Sequence, residues 1–91
     1  MGFVKDFSVE QVKAARMLLD WDQAQLAAAA SVGIATVKRI ESGSGPLQST
    51  PRITEKVMLA LEAAGIEFLG APNNMPGVRL KSVGSVEEDG N

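Results

Sequence analysis

The sequence predicts a mainly α fold: four short helices followed by a small C-terminal β-hairpin. Three observations support this. Apolar residues recur at helical spacing through four stretches, each opened by a capping residue and closed by a glycine or a break. Small residues crowd the junction of the middle two stretches, around Ser31-Val32-Gly33. After Gly65 the pattern changes to alternation, the period of a half-buried strand.

Residues 1–7 form a mixed leader with no strong local preference. Ser8-Val9-Glu10-Gln11 has the form of a capping box, and Val12, Ala15 and Leu19 follow at helical spacing, with Val9 and Leu18 widening the stripe. Asp20-Trp21 breaks this first helix, and Trp21 is large enough to close one end of a core. Asp22 and Gln25 form a second capping box. Leu26, Ala27 and Ala30 then make the inner face of a helix with a very high-propensity AAAA run. Ser31 is expected at positive φ, and Gly33 at the next N-cap.

The third helix spans about Ile34 to Ser42, with Val37 and Ile40 facing in and Gly43 as its left-handed stop. Gly45 and Pro46 mark a loop. Thr50-Pro51 opens a fourth helix whose stripe is Ile53, Val57, Ala60, Leu61 and Ala64. Ile66–Leu69 and Val78–Lys81 alternate on either side of a turn cluster at 71–77, which predicts a two-stranded hairpin. An isolated hairpin is marginal in water, so this one must lie on the helices or join its copy in a second chain. The chain therefore divides into the leader, helices over 8–65, the hairpin over 66–81 and an acidic, unpatterned tail over 82–91.

Composition narrows the function. The chain has 91 residues, enough for one domain, and no cysteine or histidine. Disulfides, ordinary zinc sites and the usual nucleophile–base pairs are thus excluded, and no glycine-rich phosphate loop with its lysine is present. This argues against an enzyme, and no cofactor or small-molecule ligand is implied. No window reaches the ~20 apolar residues of a membrane span, and the opening MGFVKDF does not resemble a signal peptide, so a cytoplasmic location is expected. The net charge of −2 is unusual for a nucleic-acid partner. Glu87, Glu88 and Asp89 supply three of the eleven acids, however, and residues 1–81 carry nine Lys and Arg against eight Asp and Glu.

Two helices cross steeply only where the residues at the crossing are small, and Ala27, Ala30 and Gly33 qualify. This is what a helix-turn-helix requires when it presents its second helix outward. The run VKAARMLLDWDQAQLAAAASVGIATVKRIESG resembles the phage-repressor and Cro-like helix-turn-helix family, also called the xenobiotic response element family. Gln23, Leu26-Ala27, Ala30, Val32, Val37, Ile40, Glu41 and Gly43 carry the likeness through their joint spacing. The extension LALEAAGIEFLGAPNNMPGVRLK resembles a short bacterial subgroup. Two positions depart from the family pattern: Ser31 stands where glycine is usual, and Gly33 where serine or threonine is.

The resemblance implies a four-helix Cro/C1-repressor-like domain that places its third helix in the major groove of double-stranded DNA. On this sequence the groove-facing positions are Gly33, Ile34, Ala35, Thr36, Lys38 and Arg39. Ile34 and Ala35 suit thymine methyls, and Lys38 or Arg39 suits guanine. Ile34 could equally be core, since it precedes Val37 and Ile40 by three and six positions, and Lys38 and Arg39 could be a solvated pair. Gln23, at a helix start, would face phosphate. Ser44, with Ser42 and the amides near Gly43 and Gly45, would bind the next phosphate, and Arg52 with Lys56 would add charge at the flank. The family often pairs the positions of Arg16 and Glu41, which implies an ion pair tying helix one to the end of helix three.

The expected function is a sequence-specific, dimeric transcription regulator. Its dimer contact would use the hairpin residues Ile66, Phe68, Val78 and Leu80, or the outer side of helix four with Met58 and Leu59. The alternatives are a DNA-binding antitoxin of a toxin–antitoxin pair, or a protein-interaction module that has lost DNA binding.

Overall fold

A computed structural model of the chain describes residues 7–72 and 74–81. Four helices, α1 (Val9–Leu18), α2 (Gln23–Ala30), α3 (Ile34–Glu41) and α4 (Pro51–Ala63), precede strands β1 (Ile66–Ala71) and β2 (Asn74–Leu80). Local chemistry sets each boundary. Ser8 with Gln11 and Asp22 with Gln25 form complete capping boxes, and Thr50 Oγ1 accepts from the Ile53 amide ahead of α4.

α1 and α2 end in the same way. Asp20 (φ 58°) and Ser31 (φ 58°) take left-handed backbone. Trp21 N then donates to Arg16 O (3.0 Å) and Val32 N to Ala27 O (3.0 Å), each turning the chain back over the helix it leaves. Trp21 and Val32 both pack against the core.

One core joins the four helices and β1: Phe7, Val12, Ala15, Leu26, Ala27, Ala30, Val37, Ile40, Val57, Met58, Leu61, Ile66 and Phe68, with Val78 and Leu80 of β2 packed against it. Three expectations need correction. Phe7, assigned to the leader, is buried and stacks on Phe68 with ring centroids 4.9 Å apart. Residues 1–6 of the leader, and the tail at 82–91, lie outside the described residues. Leu18, placed in the apolar stripe, is 47% exposed, because the inward arc of α1 runs through Val12 and Ala15 and passes it by. Met58, assigned to an outer side, is buried, because α4 packs against both α2 and β1 and its covered arc is wide. Leu59 does remain exposed.

The hairpin is longer than the alternation suggests. β1 and β2 run antiparallel from Ile66↔Leu80 through Phe68↔Val78 to Ala71↔Asn74, so the chain reverses within residues assigned to a broad turn. A register shift between Leu69 and Ala71 is centred on Gly70 (φ 70°), where an added Cβ would collide with the carbonyl oxygens of Asn74 and Met75. The hairpin lies on the helices. On its inward face Ile66 and Phe68 are buried in this chain's own core, while Val78 and Leu80, expected with them at a dimer contact, are half-buried against it.

A buried glutamine fixes the hairpin in place. Gln11 donates its side-chain amide to Leu69 O (2.9 Å) and Gly77 O (2.9 Å), while its Oε1 accepts from Ser8 N (2.8 Å). Both amide hydrogens and the carbonyl oxygen are thus engaged, as burial of a polar side chain demands.

Candidate nucleic-acid interface

The third helix owes its orientation to what it buries. Val37, Ile40 and Glu41 point into the body, while Gly33, Ile34, Ala35, Lys38 and Arg39 are exposed and Thr36 is half-buried. Ile34, which spacing alone leaves between core and surface, is 42% exposed. On α3 the outward residues stack in two rows, Ile34 above Lys38 and Ala35 above Arg39, one helical turn apart. Neither Lys38 nor Arg39 forms an ion pair among the described residues. Gly33 starts the helix without a side-chain cap, and a Cβ there would meet nothing within 4 Å.

A polar knot behind this face ties three helices together. Arg16 donates Nε to Glu41 Oε2 (2.9 Å) and Nη2 to Glu41 Oε1 (2.8 Å), and it also donates Nη1 to Trp21 O (3.0 Å). Gln23 Nε2 donates to Glu41 Oε1 at 3.1 Å. One carboxylate, nearly removed from solvent, therefore links the end of α1, the first residue of α2 and the last residue of α3. Burial pushes the Glu41 carboxyl up, but the hydrogen bonds from Arg16 and Gln23 and the charges of Arg16 and Lys13 outweigh it and hold it below the ordinary glutamate range. The Arg16 guanidinium is held above its usual value, chiefly by the hydrogen bonds it donates to Glu41.

Gln23 thus stands at the start of α2 with one amide hydrogen committed and the other open. Helix geometry leaves the Gln23 and Ala24 backbone amides without intrahelical partners. Asp22, capping the same turn, brings a carboxylate beside them.

The α3–α4 loop differs from expectation. The Gly45 amide is already occupied by Glu10, at 3.1 Å to Oε1 and 3.3 Å to Oε2, and the Gly43 amide donates to Ile40 O at 3.2 Å. Ser42 Oγ donates to Arg39 O at 2.7 Å. The loop is strapped to the start of the fold by Val9 N to Gly45 O (2.9 Å) and Leu47 N to Phe7 O (3.0 Å). A carboxylate from 35 residues away has taken the place proposed for a phosphate, and no local pattern announces it. Ser44 and Arg52 are exposed, while Lys56 is half-buried. The role of Gln11 did leave a sign: it lies four residues before Ala15, on the flank of the apolar stripe.

Among the described residues no cluster of His, Cys, Asp or Glu could hold a metal ion, and no helix is long and apolar enough to cross a membrane. A family model described as helix-turn-helix matches residues 12–63, more than half of the chain. Neither the curated proteins nor the solved structures contain a match.

Proposed function

The chain belongs to the Cro/C1-type helix-turn-helix family of DNA-binding regulators, and on that premise we propose that it is a sequence-specific transcription regulator binding double-stranded DNA as a homodimer, with α3 in the major groove. The outward face of α3 carries the reading: Ile34, Ala35, Lys38 and Arg39 are all exposed on a helix whose other side is fully engaged in the core. Ile34 leaves 42% of its surface to solvent, apolar area that a groove-reading helix can use. Gln23, through its free amide hydrogen and backbone N–H, and Arg52 and Ser44 at the flank are the phosphate contacts of the reading.

One such face has few cations and a small area, and a two-fold pair doubles both. Ile66 and Phe68 are buried within the chain, which leaves half-buried Val78 and Leu80 on the hairpin and exposed Leu59 on α4 as the candidates for the dimer contact. The antitoxin alternative depends on tail residues outside those described and has no observation in its favour.

Selection of bound sites from random duplexes tests the reading. The expected product is a palindrome whose half-site centres lie about one helical turn, ~10 base pairs, or a multiple of it apart, bound by two chains. Enrichment of asymmetric sites bound by one chain would overturn the dimer. No enrichment at all would overturn sequence-specific binding.

A further inference from the structure

We infer that α3 reads the C5-methyl group of a pyrimidine, with Ile34 as the residue that recognises it, so that each half-site is defined by a thymine and accepts 5-methylcytosine in its place. The inference rests on the proposal that α3 faces DNA, and it names what α3 recognises there.

Several observations support it. The first two positions of the helix, Ile34 and Ala35, are apolar and exposed, so the leading end of the reading face has no side-chain donor or acceptor for a base edge. Thr36, the first hydroxyl, is half-buried, and its amide is turned to Gly33 O at 3.0 Å. Lys38 and Arg39 lie one turn further back, about 6 Å along the axis. Gly33 presents no side chain and faces open space, so the backbone can approach a base closely and bring Ile34 down with it.

In the major groove only thymine offers an apolar group, its C5-methyl. The other three bases present donors and acceptors that Ile34 would strip of water without replacing the lost hydrogen bonds. A cytosine methylated at C5 carries the same group in the same place. Discrimination at this position therefore comes from burial of one methyl group and from exclusion of unmethylated cytosine.

The test takes a duplex selected by the full chain and replaces its thymines with uracil, one position at a time. Uracil keeps the pairing and removes only the methyl. At one position in each half-site affinity falls about fourfold, the equivalent of ~0.8 kcal/mol for one buried methyl group. Replacing that T·A pair with 5-methylcytosine·G binds better than the same site with plain cytosine. In Ile34→Ala the uracil effect at that position disappears, while binding through the remaining contacts persists. Because Ile34 is exposed, this variant keeps the fold, and an unchanged unfolding midpoint verifies that. Selected duplexes that bind equally well with uracil at every position overturn the inference alone, as does a uracil penalty of equal size in Ile34→Ala. A chain that selects no duplex overturns the DNA reading and this inference together.

Discussion

The side-chain amide of Gln11 and the carbonyl of Gly77, 66 residues apart in sequence, meet at 2.9 Å, and the same amide holds Leu69 O on the partner strand. One side chain on α1 thus grips both strands of the hairpin. Its replacement is a sharp test of what keeps the hairpin on the helices.

Gln11→Ala leaves two carbonyls and the Ser8 amide without their partner. Each unsatisfied buried group costs about 1–3 kcal/mol, and partial access of water to the site keeps the expected total near ~3 kcal/mol. Urea unfolding gives the loss. Hydrogen exchange locates it: protection of residues 66–71 and 74–80 should fall before that of α2 and α3. Uniform loss across the domain would mean that the amide does not act on the hairpin in particular.

Arg16→Ala exposes the opposite weakness. It leaves Glu41 buried without its bidentate partner, and removing one member of such a pair costs about 3 kcal/mol or more. Replacing both residues with apolar side chains of similar size should recover most of this, so a double variant no more stable than Arg16→Ala would show that the pair is not the cause.

The same carboxylate sets a pH dependence. Glu41 is held below its ordinary value of 4.5 in the fold. The folded state therefore binds its proton less readily than the unfolded chain, and the pair contributes fully above that value. Its contribution drains away as the pH falls from about 4.5 through the lower folded value. Glu41→Gln should be less stable at neutral pH and lose less stability on acidification. Glu67, lowered by the hydrogen bond from Arg79, leaves a shallow slope in both proteins. Parallel curves for the two chains below pH 4.5 would rule this out.

Ser31→Gly relieves a residue held at φ 58°, ψ 45°. Left-handed backbone costs a residue with a side chain about 1–2 kcal/mol, and the added freedom of glycine in the unfolded chain returns part of that. The expected net gain is below about 1 kcal/mol, read as a rise of a few degrees in Tm. A lower Tm would show that Ser31 makes a compensating interaction.

Glu10→Gln keeps an acceptor for the Gly45 amide and removes a negative charge from the loop that flanks α3. If that loop runs along the phosphates, DNA affinity should rise about threefold at low salt, the scale of one exposed charge interaction, and the gain should shrink as salt is added. A gain that does not respond to salt would argue against an electrostatic origin.

Where sequence and structure agree, the determinants are local. Ser8, Asp22, Thr50 and the left-handed Ser31 act within one turn of the chain, so these starts and this stop show in the sequence; the left-handed stop expected at Gly43 does not form, and positive φ falls at Gly45 instead. The inward faces of α2 and α3 follow from their spacing for the same reason. Arg16 and Glu41 lie 25 residues apart, and only family resemblance suggests that they meet. What escapes a linear reading depends on distant elements. Met58 is buried and Leu59 is not because α2 and β1 both lean on α4. The Gly45 amide is filled because Glu10 happens to lie beside it. Ile66, Phe68, Val78 and Leu80 form an apolar hairpin face that reads equally well as a core or as a dimer contact, and the positions of α1, α4 and Phe7 are what bury Ile66 and Phe68.

The stacking of Phe7 on Phe68 has a consequence for the order of events in synthesis. Phe7, ahead of α1, packs on Phe68 in β1, so the core around this pair cannot close until β1 has left the ribosome. At ~5–20 residues per second α3 waits roughly 1.5–6 s, and α4 about a second, for the strand that completes them. Closing such a sequence-distant contact is also a slow class of folding event. A chain cut short before residue 66 would contain the whole helix-turn-helix and still lack the surface on which Phe7 comes to rest.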